Sequence, residues 1–147
     1  MVISTSFRRF IISSIFVLIL LFCLYTLIPE LYWSWVDWPF SDPVFSRFFG
    51  ITCLAIAIIQ IIILRAKEWN KIKIMIEFEI IWLFLVNIIN IWSIFAINFS
   101  KTAFPGVIFD TALTIFYTIG FVYFYLRHKN AFELTESQAN YEINTKK

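Results

Sequence analysis

A chain of 147 residues that is 61% hydrophobic and only 15% charged departs from the usual soluble domain, which is about 45–50% apolar and about 25% charged. A formal net charge of +2 is too small for a nucleic-acid binder, and three glycines and four prolines leave little material for a loop-built site. Cys23 and Cys53 lie in apolar runs without C-x-x-C or metal-ligand spacing, so no disulfide framework, metal centre or cofactor is expected.

The first apolar run extends from Phe10 to Ile28, enough for about 28 Å of helix against a hydrocarbon core of about 30 Å. A cleaved signal peptide is the competing reading. The run outlasts the apolar core of such peptides and no small-residue cleavage site follows it, so it reads as a retained helix. Pro29 to Gly50 then links the first run to the second and gathers Tyr32, Trp33, Trp35, Trp38 and Phe40. Aromatic rings collect at the headgroup level, where an apolar body and a polar edge are both satisfied. An interfacial loop or short surface helix is therefore expected, with a lid over a cavity as the alternative. Asp42-Pro43 reads as a helix start, with Asp42 as N-cap and Pro43 in the first turn.

The second run covers about 44–64, the third about 76–97 and the fourth about 107–126. Short connections make neighbouring helices antiparallel. A polar tail, 129–147, follows and is expected to leave the helix. If the N-terminus is cytoplasmic, that side holds every Lys and Arg except Arg47 and Lys101. The positive-inside rule then puts both termini in the cytoplasm. The expected fold is an all-α, membrane-spanning antiparallel four-helix bundle, multi-pass in a prokaryotic plasma membrane.

Two sets of polar residues stand out inside the apolar runs. Arg47 and Asp110 lie at comparable depth near the ends away from the termini. Intramembrane charges face the bundle and find partners, so an Arg47–Asp110 ion pair is expected. The alternative is an outer pocket for a polar headgroup, with Asp42, Trp38 and Tyr117 beside the pair. Asp110 also heads a stripe on the fourth helix that continues through Thr114, Tyr117, Thr118, Phe121 and Tyr125.

On the third helix Glu77 and Glu79 point about 160° apart, so they cannot act as paired carboxylates. Glu77 reads as the interfacial end of the helix, one turn from Lys73. Asn90 lies about 20° from Glu79 and Asn87 about 80° away, with Ser93 near the same side. Glu79, Asn87, Asn90 and Ser93 thus form a polar seam facing protein rather than lipid, with Gln60 on the second helix as a candidate partner. Gly50 and Ala57 permit close helix approach there. His128, the one histidine, reads as an interfacial cap rather than a catalytic base. No Ser-His-Asp set, phosphate loop or metal motif is present.

Arg47 and Gly50 at the head of the second run, together with Pro29 and Pro39 in the loop before it, resemble the layout of DoxX-like small membrane proteins. The resemblance implies a bundle of four membrane helices, in some members a subunit linked to quinone or thiol oxidoreductases. A conspicuous redox cysteine pair is missing here. The layout is also similar to that of the sterol-isomerase-like group, with Asp110, Glu79 and the tryptophans compatible. The expected function is a non-enzymatic subunit or scaffold of a membrane complex. The alternatives are a lipophilic-ligand (lipid, sterol-like or quinone) binder or isomerase-type enzyme, and a small transporter. Expected partners are the bilayer, other membrane subunits or further copies of the chain, and a lipophilic small molecule. No nucleic acid is expected.

Overall fold

The computed structural model describes residues 4–37, 42–66 and 68–145. Among these every regular element is helical: α1 (Thr5–Phe22), a π-helical turn (Cys23–Leu27), α2 (Pro29–Val36), α3 (Pro43–Arg65), α4 (Trp69–Ala96) and α5 (Ala103–Thr145). Four segments, Thr5–Leu27, Pro43–Arg65, Trp69–Ala96 and Ala103–Phe132, are long and apolar enough to cross a membrane. The chain is a small multi-pass integral membrane protein.

Local chemistry explains the boundaries. The Ser4 hydroxyl accepts the Phe7 N–H at 3.3 Å and starts α1. Near the other end of that helix Pro29 brings no N–H for the carbonyl of Tyr25, four residues earlier. The bonding pattern widens into the π turn, and the Tyr25 carbonyl instead accepts the hydroxyl of Ser46 at 3.1 Å. The aromatic loop folds into the short helix α2, closed by Asp37 in the left-handed region (φ 51°), which Asp tolerates better than most side chains. Asp42 caps α3 as expected, its carboxylate accepting the Val44 and Phe45 N–H groups at 2.9 and 3.2 Å.

α4 has 28 residues, about 42 Å of helix, so its first turns, with Lys71 and Lys73, extend beyond the hydrocarbon. α5 departs from expectation. The polar segment after residue 128 continues the helix to Thr145. No Gly or Pro follows Gly120, and Ala, Glu, Leu and Gln in this segment are good helix formers.

The spanning helices pair as two hairpins, α1 with α3 and α4 with α5, whose mutual contacts are far fewer. In α1–α3 the closest approach is at Gly50, where a Cβ would land against the Thr26 hydroxyl; Ala57, one heptad on, is also buried. The α4–α5 hairpin is joined by amide–hydroxyl bonds. Asn87 donates to Thr118 Oγ1 at 2.7 Å and accepts from Thr114 Oγ1 at 2.7 Å, while Asn90 reaches Thr114 at 3.5 Å. Interhelical bonds of this kind are worth on average about 0.6 kcal/mol each in a membrane.

The hairpins meet mainly at the end carrying Arg8, Arg65, Lys71, Lys73 and Arg127, here called the basic end. Phe7, Ile11, Ile63, Trp69, Ile72, Ile76 and Phe121 form one buried cluster there, which continues through Leu83 and Tyr117 toward the middle of the bundle. Phe10 packs into the gap left by Gly120 and lies against Phe121 and Phe124, with ring centroids 5.2 and 5.4 Å apart. The second buried cluster, Leu18, Cys53, Ile56 and Ala57, lies in the α1–α3 hairpin, and Trp82 of α4 packs against it.

Candidate functional site

Three side chains from three helices converge near the middle of the bundle. Gln60 on α3 uses its amide N–H groups on Ser14 Oγ of α1 (3.0 Å) and Glu79 Oε2 of α4 (3.1 Å). All three are buried: Gln60 and Glu79 are each 1% exposed. Gln60 Oε1 and Glu79 Oε1 are reached by no hydrogen-bond donor among the described residues. An ionised carboxylate buried this deeply is costly without a donor or a countercharge.

These residues form the floor of a cavity of about 50 Å³, room for a few waters or a small head group. Val17, Leu18, Leu21, Phe49 and Ile56 wall it from the α1–α3 hairpin. From the other side come Trp82, Leu83, Val86 and Leu113, with Thr114, Tyr117 and Phe121. The floor is sealed, whereas Leu21, Phe49, Val86 and Leu113, farther from the basic end, are half-buried. The cavity is therefore mostly apolar along its walls, acceptor-rich at its base and lined by less buried residues away from the basic end.

The expected seam on α4 divides in two. Glu79 turns to the α1–α3 hairpin through Gln60, the candidate partner of the seam. Asn87 and Asn90 turn to α5 instead. Ser93 bonds the carbonyl of Ile89 on its own helix at 2.8 Å. The helical phase was right, but about 80° is wide enough for one stripe to face two neighbours. Glu77 is interfacial as expected, 3.9 Å from Lys73, and its carboxylate also accepts the hydroxyl of Tyr125.

The described residues of the expected outer site take separate partners. Arg47 pairs with Glu30 at 2.7 Å, and no ion pair joins it to Asp110 among the described residues. α2 folds back over the head of α3 and brings a carboxylate nearer to Arg47 than any on α5. Both partners are largely exposed, so the pair contributes little. Asp110 faces the tyrosines of the other hairpin. Burial, and then the Asp110 carboxylate, raise the Tyr32 hydroxyl above its ordinary value. Asp42 is occupied as a helix cap, Tyr117 lines the central cavity, and Trp38 lies outside the described residues.

His128 is buried within the protein, at 2% exposure. Its Nε2 accepts the Ser4 N–H at 3.2 Å, and its Nδ1–H donates to the Phe124 carbonyl at 2.8 Å, which requires the neutral ring. Trp69 stacks on it at 5.1 Å. Both ring nitrogens are engaged in tying the start of α1 to α5, so the residue is structural.

Ser14 and Trp82 were missed in the sequence. Ser13 and Ser14 are adjacent in an apolar run. Ser13 bonds the Phe10 carbonyl of its own helix at 2.7 Å, and only Ser14 faces the bundle. Periodicity alone could have ranked them, since Ser14 is in phase with Phe7, Ile11 and Leu18. The chain matches no protein-family model, no curated protein and no solved structure.

Proposed function

We propose that this protein binds a small lipophilic molecule inside the membrane, between its two hairpins. One observation carries the reading: the cavity walled by both hairpins is apolar along its sides and ends on buried, unsatisfied acceptors at Gln60 and Glu79. Ligand sites have this composition, mostly hydrophobic and aromatic lining with a few convergent polar groups. A guest larger than the resting cavity is admitted where the hairpins touch least, away from the basic end.

A role as subunit or scaffold draws less support. Large exposed apolar side chains, among them Phe16, Phe45, Phe95 and Phe116, are spread over all four spanning helices, as lipid contact requires, and gather on no single face. The charge asymmetry of the loops supports cytoplasmic termini in a prokaryotic plasma membrane. The DoxX-like resemblance, resting on layout and on Arg47 and Gly50, adds nothing to the cavity reading.

Native mass spectrometry of protein released from membranes tests the proposal. The wild-type chain should carry additional bound mass that Leu113→Trp, which fills the cavity, does not. Identical bound mass on both proteins would contradict it.

A further inference from the structure

Resting on the reading of the cavity as a lipophilic site, we infer that the head group it receives is a protonated alkylamine. At the floor two acceptors, Gln60 Oε1 and Glu79 Oε1, are reached by no donor among the described residues. Gln60 has already spent its N–H groups on Ser14 and Glu79. A ligand that satisfies both must bring at least two donors, and a primary ammonium brings three. A ketone, ester or ether brings none.

Charge narrows the choice further. Among the described residues no Lys, Arg or His forms an ion pair with Glu79; the basic side chains cluster at the end of the bundle, and Lys73 is taken by Glu77. A buried carboxylate is tolerated when it is paired and hydrogen-bonded. A ligand ammonium supplies the countercharge and the missing donor together. Trp82, Tyr117 and Phe121 line the same space, and aromatic rings are the apolar surfaces most favourable to a cation. Beyond them the walls are aliphatic, suited to an alkyl chain. The head sits at Glu79, and the chain runs between Leu21 and Leu113 toward the end where the hairpins part.

The test is a series of three probes of equal chain length on the whole protein in nanodiscs of zwitterionic lipid: octylammonium, octanol and octyltrimethylammonium. The first has charge and N–H donors, the second a donor without charge, the third charge without a donor. Octylammonium should raise the thermal unfolding midpoint at the lowest concentration. Octanol and octyltrimethylammonium should each need at least about tenfold more, the loss expected when a charge-assisted hydrogen bond is missing. Glu79→Gln, nearly isosteric, should remove the preference for octylammonium, and Gln60→Leu should weaken it about fivefold. If Glu79→Gln does not fold, Gln60→Leu decides alone.

Octanol equal to octylammonium would overturn the amine head group and leave the lipophilic site standing. No response to any probe would remove both. A preference for octylammonium that survives in both variants would mean partitioning into the bilayer, with only water on the floor, and would also overturn the inference.

Discussion

The two halves of the bundle are built differently. Toward the basic end the α1–α3 and α4–α5 hairpins share an aromatic core, in which Phe7 stacks on Phe124 at 5.0 Å and Trp69 on His128 at 5.1 Å. That end is also tied by backbone groups: Ser4 donates to His128, and Arg8 reaches the Leu64 carbonyl at 3.1 Å, satisfying the end of α3. Away from it each hairpin is well packed within itself, the α1–α3 pair by Gly50 and Ala57 and the α4–α5 pair by Asn87 and Thr114. Between them lies the cavity. In lipid, apolar surface has no hydrophobic drive to leave its surroundings, so helices join only where they fit or hydrogen-bond. The half that fits is closely packed, and the half that fits less well holds the cavity.

Breaking the closed half should have the largest effect. Trp69→Ala removes a fully buried ring that packs against His128 and Tyr125; a loss of about 3 kcal/mol is expected in a reversible detergent-unfolding titration. Phe49→Ala, in the cavity wall, should cost under about 1 kcal/mol in the same titration, because its ring is only half-buried. Gly50→Val should come next, at about 1–3 kcal/mol, since the added side chain meets Thr26 and Tyr25. It should loosen α1 from α3 and leave the α4–α5 pair intact, as hydrogen exchange resolved by helix would show.

Asn87→Leu should cost about 1 kcal/mol, for two interhelical hydrogen bonds lost inside one hairpin and a third to the Leu83 carbonyl of its own helix. Asn90→Leu should cost less, its single bond being long at 3.5 Å. Arg47→Ala should be the smallest, within about 0.5 kcal/mol, because the Arg47–Glu30 pair is exposed. A cost for Arg47→Ala as large as that for Asn87→Leu would mean that the open end is held by its charges after all.

Much of this was legible in the sequence. The four spans, the Asp42 cap, the close approach at Gly50 and Gln60 as a partner of the α4 seam all follow from hydropathy, helical phase and capping chemistry. These are local or one-dimensional properties. What could not be read depends on which helix neighbours which. Arg47 and Asp110 match in depth, but depth says nothing of azimuth, and α2 placed Glu30 in the way. Asn87 and Glu79 share a side of α4, but only the pairing into hairpins decides that one faces α5 and the other α3. The polar segment after residue 128 looked like a tail because its side chains are hydrophilic, yet helix propensity does not require burial.

Inter-hairpin distance distributions at the two ends test the central claim most directly. Spin labels at Phe48 and Ile108 report on the open end, and labels at Ile62 and Leu126 on the closed one; all four positions are exposed, and Cys23 and Cys53 are replaced beforehand. Pulsed electron-electron resonance in nanodiscs should give a narrow distribution for Ile62–Leu126. The Phe48–Ile108 distribution should be broader and should narrow when octylammonium is added. Equal widths at both ends, unchanged by the probe, would contradict a bundle closely packed at its basic end with a binding cavity beyond it.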